Sequence, residues 1–89
     1  MAKIKVKKVI DGDTFQGTRG GFFRLADVDA PEKRKRGYQK AKETLKKFVE
    51  GEELIIKVEG VSHGRKVVKT RKPGEKITIN EKMRRKGYK

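Results

Sequence analysis

The sequence predicts a mainly β domain with two helices, in which five short strands close into a small barrel. Three observations lead there. Lysines at 3, 5 and 7 alternate with Ile4 and Val6, the period-two pattern of a half-buried strand. Four further β-prone segments follow, divided by turns that carry glycine or proline. At Tyr38 the apolar spacing changes to the three-and-four step of a helix. The 89 residues make a single domain, 1–89, with one core; a chain of this size buries roughly 60 to 65% of its unfolded surface, so stability is modest.

The first strand is expected over Lys3–Ile10, where Asp11-Gly12 interrupts it. Thr14–Gln16 forms the second, Thr18-Arg19-Gly20-Gly21 is a flexible turn, and Phe22–Val28 resumes β character until Pro31 ends the ladder. Tyr38, Ala41, Leu45, Phe48 and Val49 then define a helix over about 38–50, with Glu43 four residues before Lys47 and Gly51 at the C-terminal cap. Leu54–Glu59 and Lys66–Thr70 are the last two strands, joined by Gly60-Val61-Ser62-His63-Gly64. Pro73-Gly74 is a turn, and a short helix is expected after Asn80 as N-cap, ending at Gly87. Five antiparallel strands of this kind close into a barrel with the first helix plugging one end.

Lysine and arginine number 26 against 12 acids, a net charge of +14 and a pI near 10.3. Charge on this scale is rewarded by polyanions, which release counterions on binding, so nucleic acid is the expected partner. An anionic membrane surface would require a helix with a free apolar face, and the helix over 38–50 commits its apolar face to the core; no membrane partner is expected. The absence of cysteine excludes disulfides and thiolate metal sites. The opening MAKIKVKKVI is basic without an apolar run long enough for a signal peptide, which predicts a cytoplasmic protein. The densest charge run, Lys33-Arg34-Lys35-Arg36, reads either as a solvated loop or as an arm that touches phosphates without reading sequence.

All four aspartates, Asp11, Asp13, Asp27 and Asp29, fall inside one nineteen-residue window of this basic chain. On an extended backbone residues i and i+2 share a face, so each pair sets two carboxylates side by side, and the pairs meet if their strands are neighbours. Close carboxylates repel unless a cation lies between them, and hard oxygen donors without His or Cys favour Ca²⁺ or Mg²⁺. The spacing fits plain turn chemistry as well, with Asp11 as the turn residue of a DG pair and Asp27 beside a surface lysine.

Four strings, "VIDGDTF", "FRLADVDAPE", "HGR" and "INEKMRRKGY", occur in this order. Together they resemble the thermonuclease, or staphylococcal-nuclease-like, family over about residues 4–88. The resemblance implies a five-stranded OB-fold barrel and a Ca²⁺-dependent nuclease acting on DNA or RNA with little sequence preference. It implies that Asp13, Asp29 and the backbone carbonyl of Ala30 ligate the Ca²⁺, with Asp11 as an acid beside the metal. It assigns to Glu32 the orientation or deprotonation of the attacking water, and to Arg24 and Arg65 the clamping of the phosphate.

Substrate contacts are expected from His63, Lys33, Arg34, Lys35, Arg36 and Tyr88. His63 replaces the tyrosine of the family's Y-G-R loop and remains able to donate to a phosphate. The chain stops two residues after Gly87, so a short form without the family's C-terminal helix is expected, with Tyr88 alone standing for the tyrosines that precede it. A monomer is expected. The alternative is a non-catalytic OB-fold module that binds single-stranded nucleic acid through a basic groove. Acids at 13, 29 and 32 separate the two, because inside a binding groove they would repel phosphate.

Overall fold

Lysine-apolar alternation builds the first strand in the computed structural model, which describes residues 2–89. There β1 spans Ala2–Asp11 and buries Val6 and Val9. Those two valines are three apart rather than two because β1 slips register against its neighbour between Val6 and Lys8, which turns Val9 inward in place of Lys8. The next strands are β2 (Thr14–Gly17) and β3 (Phe22–Leu25), followed by α1 (Tyr38–Val49), β4 (Glu53–Ser62), β5 (Arg65–Arg71) and α2 (Ile79–Arg85). The strands form a closed barrel in the order β1-β2-β3-β5-β4, the OB-type architecture that the motifs imply.

One seam departs from expectation: β3 and β5 are parallel, whereas the other four are antiparallel. A closed ring with an odd number of strands cannot reverse direction at every seam. Inside it Phe15 stacks on Phe23 with ring centroids 5.5 Å apart, and Leu25, Leu54 and Val68 pack around them. Ala41, Leu45 and Val49 bring the apolar side of α1 onto this core, and the Tyr38 hydroxyl donates to the Ile10 carbonyl at 2.9 Å, tying the start of α1 to the end of β1. No helix among the described residues is long and apolar enough to cross a membrane.

Several boundaries move, each for a local reason. β3 stops at Leu25 rather than Val28 because Asp27 takes φ 61°, which breaks the extended chain. β4 and β5 run up to a two-residue turn in which His63 and Gly64 have φ 50° and 76°, the pattern that matches strand twist in a tight hairpin. In α1 the i,i+4 ion pair is Lys46–Glu50 at 3.7 Å, not one between Glu43 and Lys47. The N-cap of α2 is Thr78, whose hydroxyl accepts from the Glu81 amide at 3.0 Å.

Asn80 is therefore not a cap. It is buried inside the helix, where its Nδ2 donates to the Ala26 and Val68 carbonyls at 2.8 and 2.9 Å and its Oδ1 accepts from the Thr70 amide at 3.0 Å. This one side chain joins α2 to β5 and to the residue after β3. Truncation strips the Ala26 carbonyl and the Thr70 amide of this partner, while the Val68 carbonyl keeps the Ala26 amide. Asn80→Ala is therefore expected to cost about 2–4 kcal/mol in denaturant unfolding, more than an ordinary surface change. A loss below about 1 kcal/mol would mean that water replaces the amide.

Candidate active site

The turn between β1 and β2 sets the geometry. The Asp13 amide donates to Asp11 Oδ1 at 3.1 Å, a carboxylate bonding its own backbone two residues on, so the turn-chemistry reading of Asp11 holds. Gly12 between them is a packing requirement: a Cβ there would lie 2.6 Å from Ala30 Cβ and 2.7 Å from Ala41 Cβ. Its missing side chain lets the turn lie against the segment after β3 and against α1.

Asp13 is 8% exposed. Its Oδ1 accepts the Thr14 hydroxyl at 3.0 Å and its Oδ2 lies 3.3 Å from Arg24 Nη2. Arg24 stands opposite Thr14 in the β2–β3 ladder, and its guanidinium also donates to the carbonyls of Leu25 and Val28 at 2.9 and 3.1 Å. From β5, Arg65 Nη1 reaches Thr14 Oγ1 at 3.1 Å. The two arginines are thus joined through Asp13 and Thr14. Thr14 is the member that sequence reasoning missed. Its signal was its place at the end of the D-G-D-T string, where a hydroxyl can donate to the acid and accept from a cation at once.

The carboxyl of Asp13 is pushed up to about 6, first by burial, then by the hydrogen bond and the charge of Asp11; Arg24 and Thr14 pull it down only in part. The fold keeps an acid where its ionised form is disfavoured.

The other predicted residues are more spread. Ala30 is buried against Gly12, while Asp29 is exposed and its amide donates to the Tyr88 carbonyl at 3.4 Å. Glu32 and the run Lys33, Arg34, Lys35 and Arg36 are exposed in the loop before α1, and His63 is exposed at the tip of the β4–β5 hairpin. Tyr88 is half-buried and packs on the core. Asp27 does not join the other aspartates. Its left-handed backbone removes the shared strand face with Asp29, it lines a cleft with Asn80, Glu81 and Arg84, and its carbonyl accepts from Arg84 at 2.6 Å. Among the described residues no group of three or more His, Asp or Glu side chains is gathered closely enough to hold a metal ion.

The raised Asp13 carboxyl makes stability depend on pH. Between its ordinary 3.8 in the unfolded chain and about 6 in the folded protein, the folded state binds the extra proton. The resulting penalty is fully present above pH 6 and disappears as pH falls towards 4. Asp13→Asn should therefore be more stable than the parent at pH 7 by up to about 2 kcal/mol, allowing for solvent screening. The gap should close by about pH 4 in metal-free melts. A gap independent of pH would show that Asp13 carries no such penalty.

A search of curated proteins found no match to this chain. The sequence profile of the family described as staphylococcal nuclease homologue matches residues 22–89, from the start of β3 to the end of the chain. The turn with Asp11 and Asp13 lies outside that match, and its relation to Arg24 and Arg65 rests on the hydrogen bonds above. With most of its length matched, and with the matched strands β3, β4 and β5 closed into a barrel by β1 and β2, the chain belongs to the staphylococcal nuclease homologue family.

Proposed function

We propose that the protein is a Ca²⁺-dependent nuclease that hydrolyses phosphodiester bonds of DNA or RNA with little regard to sequence. The observation that carries this reading is Asp13, a buried acid bonded to Arg24 directly and to Arg65 through Thr14 in a chain of net charge +14. A protein that only bound nucleic acid would gain nothing from a disfavoured negative charge among its arginines. A protein that cleaves phosphodiesters uses both signs of charge there.

The donor chemistry fits the cation. Asp13, Asp29 and the Ala30 carbonyl offer hard oxygens only, Gly12 lets Ala30 pack on the Asp13 turn, and burial beside Asp11 leaves Asp13 with a charge that a cation would stabilise. With two carboxylates rather than a cluster of three, water and substrate oxygens would complete the roughly six to eight ligands that Ca²⁺ takes. The ion supplies neutralisation of charge on the phosphoryl oxygens.

The chain's own groups do the rest. Arg24 and Arg65 present planar forks that grip two phosphate oxygens and follow the charge that develops on them. Glu32, at the start of the exposed loop, orients or deprotonates the attacking water. Asp11 holds the Asp13 backbone in position. His63, Tyr88 and the run from Lys33 to Arg36 contact the strand beyond the cleaved bond. A monomer suffices, since every one of these residues comes from the same chain.

The direct test is incubation with single-stranded DNA and RNA, with Ca²⁺ and with chelator. Cleavage should require the ion; salt-sensitive binding without cleavage under both conditions would put the binding-module reading in its place. Calcium should also raise the melting temperature at fixed ionic strength, since a ligand at about 100 times its dissociation constant contributes roughly 2.7 kcal/mol to a native state that alone binds it. Asp29→Asn should lose that rise together with cleavage, and an undiminished rise would remove Asp29 from the metal. For Arg65→Lys the charge stays and the fork is lost. Cleavage should fall roughly a hundredfold or more, about 3 kcal/mol, with binding and its salt dependence nearly unchanged. Equal losses in both would make Arg65 a docking residue.

A further inference from the structure

Phe22 is 42% exposed, and every other aromatic side chain among the described residues is buried or half-buried. A lone exposed apolar residue is unremarkable by itself; its position gives this one a meaning. Phe22 lies on β3 two residues before Arg24, so the two side chains share the outer face of the strand, while Phe23 between them turns inward onto Phe15. Gln16 of β2 is its partner on one side. On the other, the parallel register Phe23↔Lys66 and Arg24↔Val67 sets Arg65 beside Phe22, one step earlier. To reach Thr14 on β2, the Arg65 side chain must cross β3 between Phe22 and Arg24. Gly20 and Gly21, which precede the ring in the chain, carry no side chain to cover it.

We infer that Phe22 is a base-stacking subsite, which holds a nucleobase of the same strand whose phosphate lies at Arg24 and Arg65. The inference rests on the nuclease reading for that phosphate, and on the strand register for the rest. A phenyl ring offers a π-face and no hydrogen-bonding group, so it accepts any base and reads none. The base must be unpaired to present its face, so the subsite acts on a locally single-stranded segment. Ring and guanidinium groups sit one pleat apart on one sheet face, about 7 Å along the strand, so a base and a nearby phosphate can be engaged together.

The sequence contains no tryptophan, so Phe22→Trp introduces a single indole at the subsite, whose fluorescence can be excited apart from that of the two tyrosines. In chelator, a short single-stranded oligodeoxynucleotide should quench that fluorescence, while an abasic strand of the same length and charge should bind without quenching it. With Ca²⁺, Phe22→Ala should raise KM about tenfold and change kcat less than about twofold, the signature of lost uniform binding, and Phe22→Tyr should restore KM. Equal quenching by the abasic strand, no quenching by either, or an unchanged KM in Phe22→Ala would overturn the subsite. Failure of the nuclease reading looks different. Wild-type cleavage would then be absent, with the base-dependent quenching still present.

Discussion

The site depends on the parallel seam between β3 and β5. Because a ring of five strands must contain one seam without reversal, β5 runs beside β3 in the same direction, and Arg65 is carried to the edge of Arg24's strand. The seam is stitched beyond its ladder. The Ala26 amide donates to the Val68 carbonyl at 2.8 Å, and Asn80 of α2 accepts from Thr70 while donating to the Ala26 and Val68 carbonyls. Parallel pairing is slightly weaker per residue than antiparallel pairing, and a buried amide at its far end is one way to hold it closed. The helix that looks like an appendage to the barrel is what fixes the strands bearing the arginines.

On that frame the electrostatics run against stability. Asp13 is buried, faces Asp11, and has only one arginine and one hydroxyl to offset the loss of water. A protein selected for stability alone would use a neutral residue at such a point. The surrounding lysines contribute little relief, since most are exposed and screened. A disfavoured carboxylate next to two arginines makes physical sense if, as proposed, a cation and a phosphate complete the charge balance, one taking up the acid and the other the arginines.

Much of this was legible in the sequence. The alternation over Lys3–Ile10 and the helical spacing from Tyr38 to Val49 each carry a local signal, and both elements stand within a few residues of where that signal puts them. The connection read as a loop over 60–64 is shortened to His63-Gly64 because β4 runs on to Ser62. The motif strings pointed to Asp13, Arg24 and Arg65, which the fold brings together. What failed was non-local. Strand direction across a seam is decided by ring closure and leaves no trace in either strand's own residues. Asn80 resembles an N-cap because Asn before a periodic run usually is one; its actual partners lie 10, 12 and 54 residues away. Asp27 looked like half of an i, i+2 pair because the alternation argument assumes extended backbone, and a single residue at φ 61° ends its validity. Gly12 looked like a turn glycine, yet its need is for space against Ala30 and Ala41, two residues that only the tertiary fold brings near.

The two arginines differ in how they are held, and this divides the site into a fixed and an adjustable half. Arg24 is engaged by two carbonyls and the Asp13 carboxylate, three acceptors that orient its guanidinium before any ligand arrives. Among the described residues the Arg65 side chain has a single neutral hydroxyl as partner, so exchanging Thr14 for a phosphate oxygen would cost one ordinary hydrogen bond and gain charge-assisted ones. Glu32 and the basic run behind it are exposed and form no ion pair with another described residue, so they too can turn towards an arriving strand at small cost. Preorganisation is thus concentrated at Asp13, Thr14 and Arg24, which the β2–β3 ladder holds together. The groups that follow the substrate in the proposed reaction are attached by long side chains, or by the loop before α1, to the rim around them.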